Sequence, residues 1–196
     1  MAATLSAEIA VAAARLIVEE GMEYGPAKRR AARVFRSTRS AELPSNELLE
    51  DEVRAYIELF HADTQPAELA ALRAIAADWM ERLAAFRPHL SGAVWRGTAT
   101  RLSTIHLDLY CDDSKEAELA LIDRRIDYQT SSLDGPRGRS FDVLNVLEQS
   151  RALSGPVHLA LMVLDYDDLR GALRGDGRGR SQRGDLAALN SLRGEA

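Results

Sequence analysis

The stretch Leu90-Ser91-Gly92-Ala93-Val94-Trp95-Arg96-Gly97-Thr98-Ala99-Thr100-Arg101-Leu102-Ser103-Thr104-Ile105-His106-Leu107-Asp108-Leu109-Tyr110 decides the fold. Its start reads as a short apolar strand, Leu90 to Trp95, followed by a small-residue turn centred on Gly97. The second half alternates apolar Ile105, Leu107 and Leu109 with polar Thr104, His106 and Asp108, the period of a strand with one buried face. Gly92 and Gly97 permit positive φ or close approach of a ligand to the backbone. Thr98, Ser103 and nearby backbone N–H groups can cradle phosphate oxygens.

Working outward, four helices are expected before this stretch. Ile9, Ala13, Leu16 and Ile17 share one face of a helix over 6–20, with Ser6 as N-cap and Gly21 as stop. Pro26 opens a second helix to about Arg36, strongly basic through Lys28, Arg29, Arg30, Arg33 and Arg36. Such a surface can face phosphate or RNA, but a solvated face paired with Glu19, Glu20 and Glu23 is favoured. Ser45 caps a third helix, and Pro66 begins a fourth, closed by Pro88. Tyr56, Phe60, Trp79 and Phe86 are read as packing.

Beyond the central stretch, Asp113 or its neighbours cap a helix over 115–124 with Ala117, Leu121 and Ile122 inward. Strands near 126–131 and 140–146, joined across a Gly-Pro turn, suggest a hairpin. A continuous apolar run over 158–164 fits a buried strand, ending in Asp165, Asp167 and Asp168, for which helix capping is preferred to metal binding. A short helix over 169–173 follows. Residues 171–196 read as a basic Gly/Arg linker before a short terminal helix. The expected class is α+β: a helical region over 1–87, a small mixed sheet with flanking helices over 88–170, and that tail.

The pattern around Gly92 resembles the nucleotidyltransferase (polymerase-beta-like) superfamily, whose Gly-Ser strand-turn often continues Arg-Gly-Thr-Ala and leads to Ser-Asp-Ile-Asp-Leu. Gly92, Arg96, Gly97, Thr98 and Ala99 match, Ala93 stands where the family has serine, and Ser103, Ile105 and Leu107 keep its spacing. The resemblance implies a nucleotide seat at Gly92, Ala93, Arg96, Gly97, Thr98 and Ser103. In the family two aspartates hold divalent metals against the phosphates; here their positions carry Thr104 and His106. A metal set of His106, Asp108 and Asp142 is the substitute, with Asp108 and Asp142 as catalytic carboxylates and magnesium or manganese as cofactor. The bland alternative makes His106 a hydrogen-bonded strand residue and Asp108 a capping carboxylate.

Two functions from different classes therefore stand side by side. One is a catalytically lapsed, nucleotidyltransferase-like pseudoenzyme that binds a nucleotide or a protein partner; the missing Asp-x-Asp pair favours it. The other is an active divergent transferase moving NMP from an NTP to a protein, small-molecule or RNA hydroxyl, so enzymatic status is open.

Composition bounds the rest. A net charge of -5 over 196 residues argues against wholesale nucleic-acid or membrane binding. RNA contact is confined to the Arg-rich segments, and a protein partner is expected on the helical region. The lone Cys111 and the absence of zinc-type spacing fit a reducing cytoplasm. No P-loop, Gly-x-Ser-x-Gly elbow or His-Glu-x-x-His helix is present.

Overall fold

The computed structural model describes residues 4–35, 43–134, 140–169 and 175–194. Two compact units emerge: Met1–Glu68 with Thr98–Ser103, and Leu69–Gly97 with Thr104–Ala196.

The first unit is helical. Helix α1 (Leu5–Glu20) is capped by Thr4, whose hydroxyl accepts from the Ala7 N–H at 3.3 Å. Thr4 takes this role in place of Ser6, because it is the residue with extended backbone before the first turn. The helix stops at Gly21, which holds φ 66; a Cβ there would sit 2.5 Å from the Leu102 carbonyl oxygen, so only glycine fits. Helix α2 (Tyr24–Val34) starts earlier than Pro26, which falls within its first turn. Its basic residues are largely paired or solvated: Arg30 bonds Glu20, and the Lys28 ammonium donates to the Pro44 carbonyl and to Asn46 at 3.1 and 2.8 Å. Arg36 lies outside the described residues.

Helix α3 (Asn46–Phe60) begins at Ser45, whose hydroxyl accepts from the Leu48 N–H at 3.1 Å. Ser45→Ala is expected to cost about 1 kcal/mol, read by urea denaturation followed by far-UV circular dichroism. Ile9, Ala13, Ile17, Ala27, Ala31, Leu49, Val53 and Ile57 form one buried cluster, in which alanines let the helices approach closely. Phe60 departs from the packing expectation. It is 60% exposed and leans on Tyr56 at a ring separation of 4.6 Å.

Helix α4 (Gln65–Arg82) and a 3-10 turn (Ala84–Phe86) lead to β1 (His89–Ser91), α5 (Gly92–Arg96) and β2 (Ile105–Cys111). Strand β1 is thus shorter than the expected 90–95. Gly92 adopts φ 70, turning the chain out of the strand into a single helical turn that Gly97 closes at φ 79. Helix α6 (Ser114–Asp123), capped by Asp113, buries Ala117 and Leu121, whereas Ile122 is 52% exposed and not inward. Strands β3 (Gln129–Asp134) and β4 (Ser140–Ser150) pair antiparallel as the expected hairpin, the turn between them lying outside the described residues. Strand β5 (Gly155–Asp165) ends at Asp165, whose carboxylate accepts from the Asp167 N–H at 2.9 Å and so caps a 3-10 turn (Tyr166–Asp168). Capping, not metal binding, accounts for Asp165. The expected helix over 169–173 falls mostly outside the described residues.

Arg183–Gly184 forms β6, paired antiparallel with β1, before α7 (Leu186–Gly194). The resulting sheet runs β3-β4-β5-β2-β1-β6, with β2 and β5 parallel and every other pair antiparallel. The chain is therefore α+β, with seven helices and a mixed six-stranded sheet among the described residues.

Register divides the sheet into two faces, because successive side chains point to opposite sides. Leu107, Leu109, Leu144, Val146, Leu159, Leu161 and Val163 share the buried apolar face. Trp79 on α4 closes over it, with its indole N–H donating to Glu148 on β4 at 3.2 Å. The other face carries His106, Asp108 and Tyr110 from β2. No helix among the described residues is long and apolar enough to cross a membrane.

Candidate functional site

The polar row of β2 acquires partners from both neighbouring strands. His89 lies opposite Asp108 and Ser91 opposite His106, while Ser91 is also the ladder partner of Arg183. Because directly opposed residues share a face, His89, Ser91, His106, Asp108, Tyr110 and Arg183 converge. Asp108 is the centre of the group and only 2% exposed. Arg183 donates through Nη1 to Asp108 Oδ2 at 2.6 Å and to the Tyr110 hydroxyl at 2.9 Å, and the Ser91 hydroxyl reaches Asp108 Oδ1 at 3.4 Å. His89 Nδ1 donates to the Arg87 carbonyl at 2.9 Å, which fixes its tautomer, and its ring meets Tyr110 edge-on at 5.4 Å.

Two effects oppose each other at Asp108. Burial pushes its carboxyl above the ordinary value of 3.8, and the positive charge of Arg183, with lesser help from His106, His89 and the Ser91 hydroxyl, pulls it back. Burial prevails. Tyr110 is likewise pushed up, chiefly by burial.

The segment that delivers Arg183 is anchored by α5. Trp95 donates its indole N–H to the Ser181 carbonyl at 2.9 Å, and its ring covers Gly184 so closely that a Cβ there would lie 2.2 Å from Cη2. Helix α5 is held in turn by Arg73 on α4, which donates to the Val94 and Trp95 carbonyls at 3.2 and 3.3 Å. Gly92 completes the arrangement: a Cβ at that position would sit 2.9 Å from His106 Cδ2, so glycine brings the turn directly over the β2 row.

The residues expected to form the site separate into four sets, Asp142 standing alone. Gly92, His106 and Asp108 come together as described. Ala93, Arg96 and Gly97 lie along α5 and at its C-terminal cap. Thr98 and Ser103 belong to the helical unit. Thr98 is 1% exposed, and the Ser103 hydroxyl accepts from the Thr100 N–H at 3.0 Å.

Asp142 does not join Asp108. It pairs with Val163, and Val163 pairs with Leu109, which places Asp142 on the face opposite Asp108, with β5 between their strands. There it lines a cleft of about 270 Å³ with Cys111, Ser140 and Asp165. Burial, reinforced by the surrounding carboxylates, pushes the Cys111 thiol up, which makes it a poor nucleophile.

The implied divalent metal does not fit this donor set. One carboxylate faces the site, one of its oxygens is bonded to a guanidinium, and the second expected carboxylate is on the other side of the sheet. Among the described residues, no group of three or more His, Cys, Asp or Glu side chains is arranged to hold a metal ion.

Arg183 is the member of the site that periodicity cannot find. It sits in a two-residue strand within an Arg- and Gly-rich segment, and only its pairing with β1 gives it a role. No protein-family model, curated protein or solved structure matches the chain.

Proposed function

We propose that the sheet unit is a catalytically lapsed, nucleotidyltransferase-like binding domain that holds a nucleotide on the face presenting Ser91, Gly92, His106 and Arg183. The observation that carries this reading is the Asp108–Arg183 ion pair: the carboxylate at the centre of the face already has a cation. A nucleotidyl transferase depends on metal-held carboxylates to neutralise charge developing on the phosphates, a contribution worth several kcal/mol of barrier. Here the charge balance is internal. What remains is recognition by the partly exposed His106 and by the Arg183 guanidinium, on a side chain that is 26% exposed. Hydrogen bonds from such groups suit phosphate or ribose oxygens.

The test is calorimetric titration of the full chain with each NTP, with and without magnesium. Saturable binding that survives removal of the metal and weakens about tenfold or more in His106→Ala is the expected result. Absence of binding by every NTP overturns the nucleotide assignment.

A further inference from the structure

We propose that the helical unit is a homodimerisation module, in which the groove over α1 of one chain receives the C-terminal end of α2 from a second copy. This goes beyond the sheet site and is independent of it.

Helix α1 has two working faces. Ile9, Ala13, Ile17 and their neighbours are spent on the internal core. The opposite face, which carries Ala7, Glu8, Val11, Ala12 and Arg15, forms one side of a groove of about 830 Å³, with Ala31, Val34 and Phe35 from α2 and Glu52 and Tyr56 from α3 contributing the rest. The lining residues run along α1 from Ala7 to Glu20, a ridge of about 20 Å at 1.5 Å per residue, long enough for several turns of a docked helix.

Three large apolar side chains of the groove lining are exposed. Val11 is 52%, Val34 75% and Phe35 37% exposed. Side chains of this size, close together along one groove, mark an interaction surface more than a random scatter would.

Charge selects the occupant. Among the glutamates of the lining, Glu20 pairs with Arg30 and Glu19 accepts from Tyr56 and His61 within the chain, so Glu8 and Glu52 supply the acidic character of the groove beside Arg15. The outward face of α2, next to Val34, is basic, with Arg29 and Arg33 exposed. The helical unit therefore presents glutamates and apolar side chains along the groove and exposed arginines on α2. A two-fold axis through this surface sets each Glu8 and Glu52 against the Arg29 and Arg33 of the other copy, while the two Val34 side chains fill the facing grooves. This is the self-complementarity an isologous interface requires.

Sedimentation velocity of the full chain over a wide concentration range tests the proposal. The expected result is a concentration-dependent monomer–dimer equilibrium, weakened at least about thirtyfold by Val34→Asp and about tenfold by Arg33→Glu. Glu8→Arg combined with Arg33→Glu is expected to recover most of the loss, which a merely unfolding variant cannot do; circular dichroism verifies that each single variant folds. A monomer at every concentration overturns the proposal, as does a dimer indifferent to Val34→Asp. A monomer that instead binds a synthetic Leu/Lys amphipathic helix, with loss on Val34→Asp, assigns the groove to a foreign basic helix and also overturns it.

Discussion

Arg183→Met is expected to destabilise the sheet unit by about 3–5 kcal/mol at neutral pH, because it leaves the Asp108 carboxylate buried without its cation while keeping side-chain volume. Both tryptophans, Trp79 and Trp95, lie in that unit, so their fluorescence during urea denaturation reports its unfolding. The size of the loss follows from burial: the Asp108 side chain is 3% exposed and the Arg183 side chain 26%. Asp108→Asn is therefore expected to cost only about 1 kcal/mol, since Arg183 reaches solvent and keeps its bond to Tyr110. The double variant is expected to be no worse than Arg183→Met alone, because the two residues act as one unit.

The same pair sets a pH dependence. Burial raises the Asp108 carboxyl in the folded chain above its ordinary value of 3.8, so the folded state binds this proton more readily than the unfolded state. The contribution favours folding fully below 3.8 and is lost as pH rises through the folded value. Removing Arg183 raises the carboxyl further, so the deficit of Arg183→Met is expected to shrink as the solution is acidified, while that of Asp108→Asn, which lacks the titrating group, follows no such shrinkage. A pH-independent deficit in Arg183→Met would mean that lost packing, not an orphaned carboxylate, is responsible.

Gly184→Val carries the next largest effect, about 3 kcal/mol or more. The first added carbon alone would approach Trp95 to 2.2 Å at Cη2 and 2.5 Å at Cζ3, so the ring or the strand must move. Either movement breaks the Trp95 bond to Ser181 and draws β6 from β1, taking Arg183 away from Asp108. Combining Gly184→Val with Arg183→Met is accordingly expected to cost clearly less than the sum of the two. Strict additivity would show that Arg183 keeps its place without β6. Trp95 fluorescence, shifted toward that of an exposed indole, provides the second readout.

These two residues also mark where sequence reading runs out. Strand β2 is legible because Ile105, Leu107 and Leu109 alternate with polar residues over a full strand length. Strand β4 is legible for the same reason and β5 from its continuous apolar run, and Ser45 and Asp113 announce their helices through capping chemistry. Strand β6 has two residues, too few for any period, and its partner β1 is more than ninety residues earlier in the chain. Long-range pairing of that kind leaves no local trace, so an Arg- and Gly-rich segment reads as a linker. Asp142 illustrates a subtler limit. Its strand is correctly expected, but a strand displays two faces, and only the register against Val163 decides which one the carboxylate occupies. Gly92 is a third case: glycine after an apolar run allows either a continuing strand or a left-handed turn, and the close approach to His106 selects the turn.

Under the proposed reading, a side chain supplies from within the positive charge that the nucleotidyltransferase family draws from metal ions. Arginine suits that exchange, since its charge does not titrate and its planar fork serves Asp108 and Tyr110 together.

Pyrophosphate release tests this reading most directly. Purified chain is incubated with each NTP in magnesium and then in manganese, beside Asp108→Asn. Nucleotide bound without pyrophosphate release in either metal is the expected result. Release by the wild-type chain that Asp108→Asn abolishes would contradict it, making Asp108 a working catalytic carboxylate and the domain an active transferase.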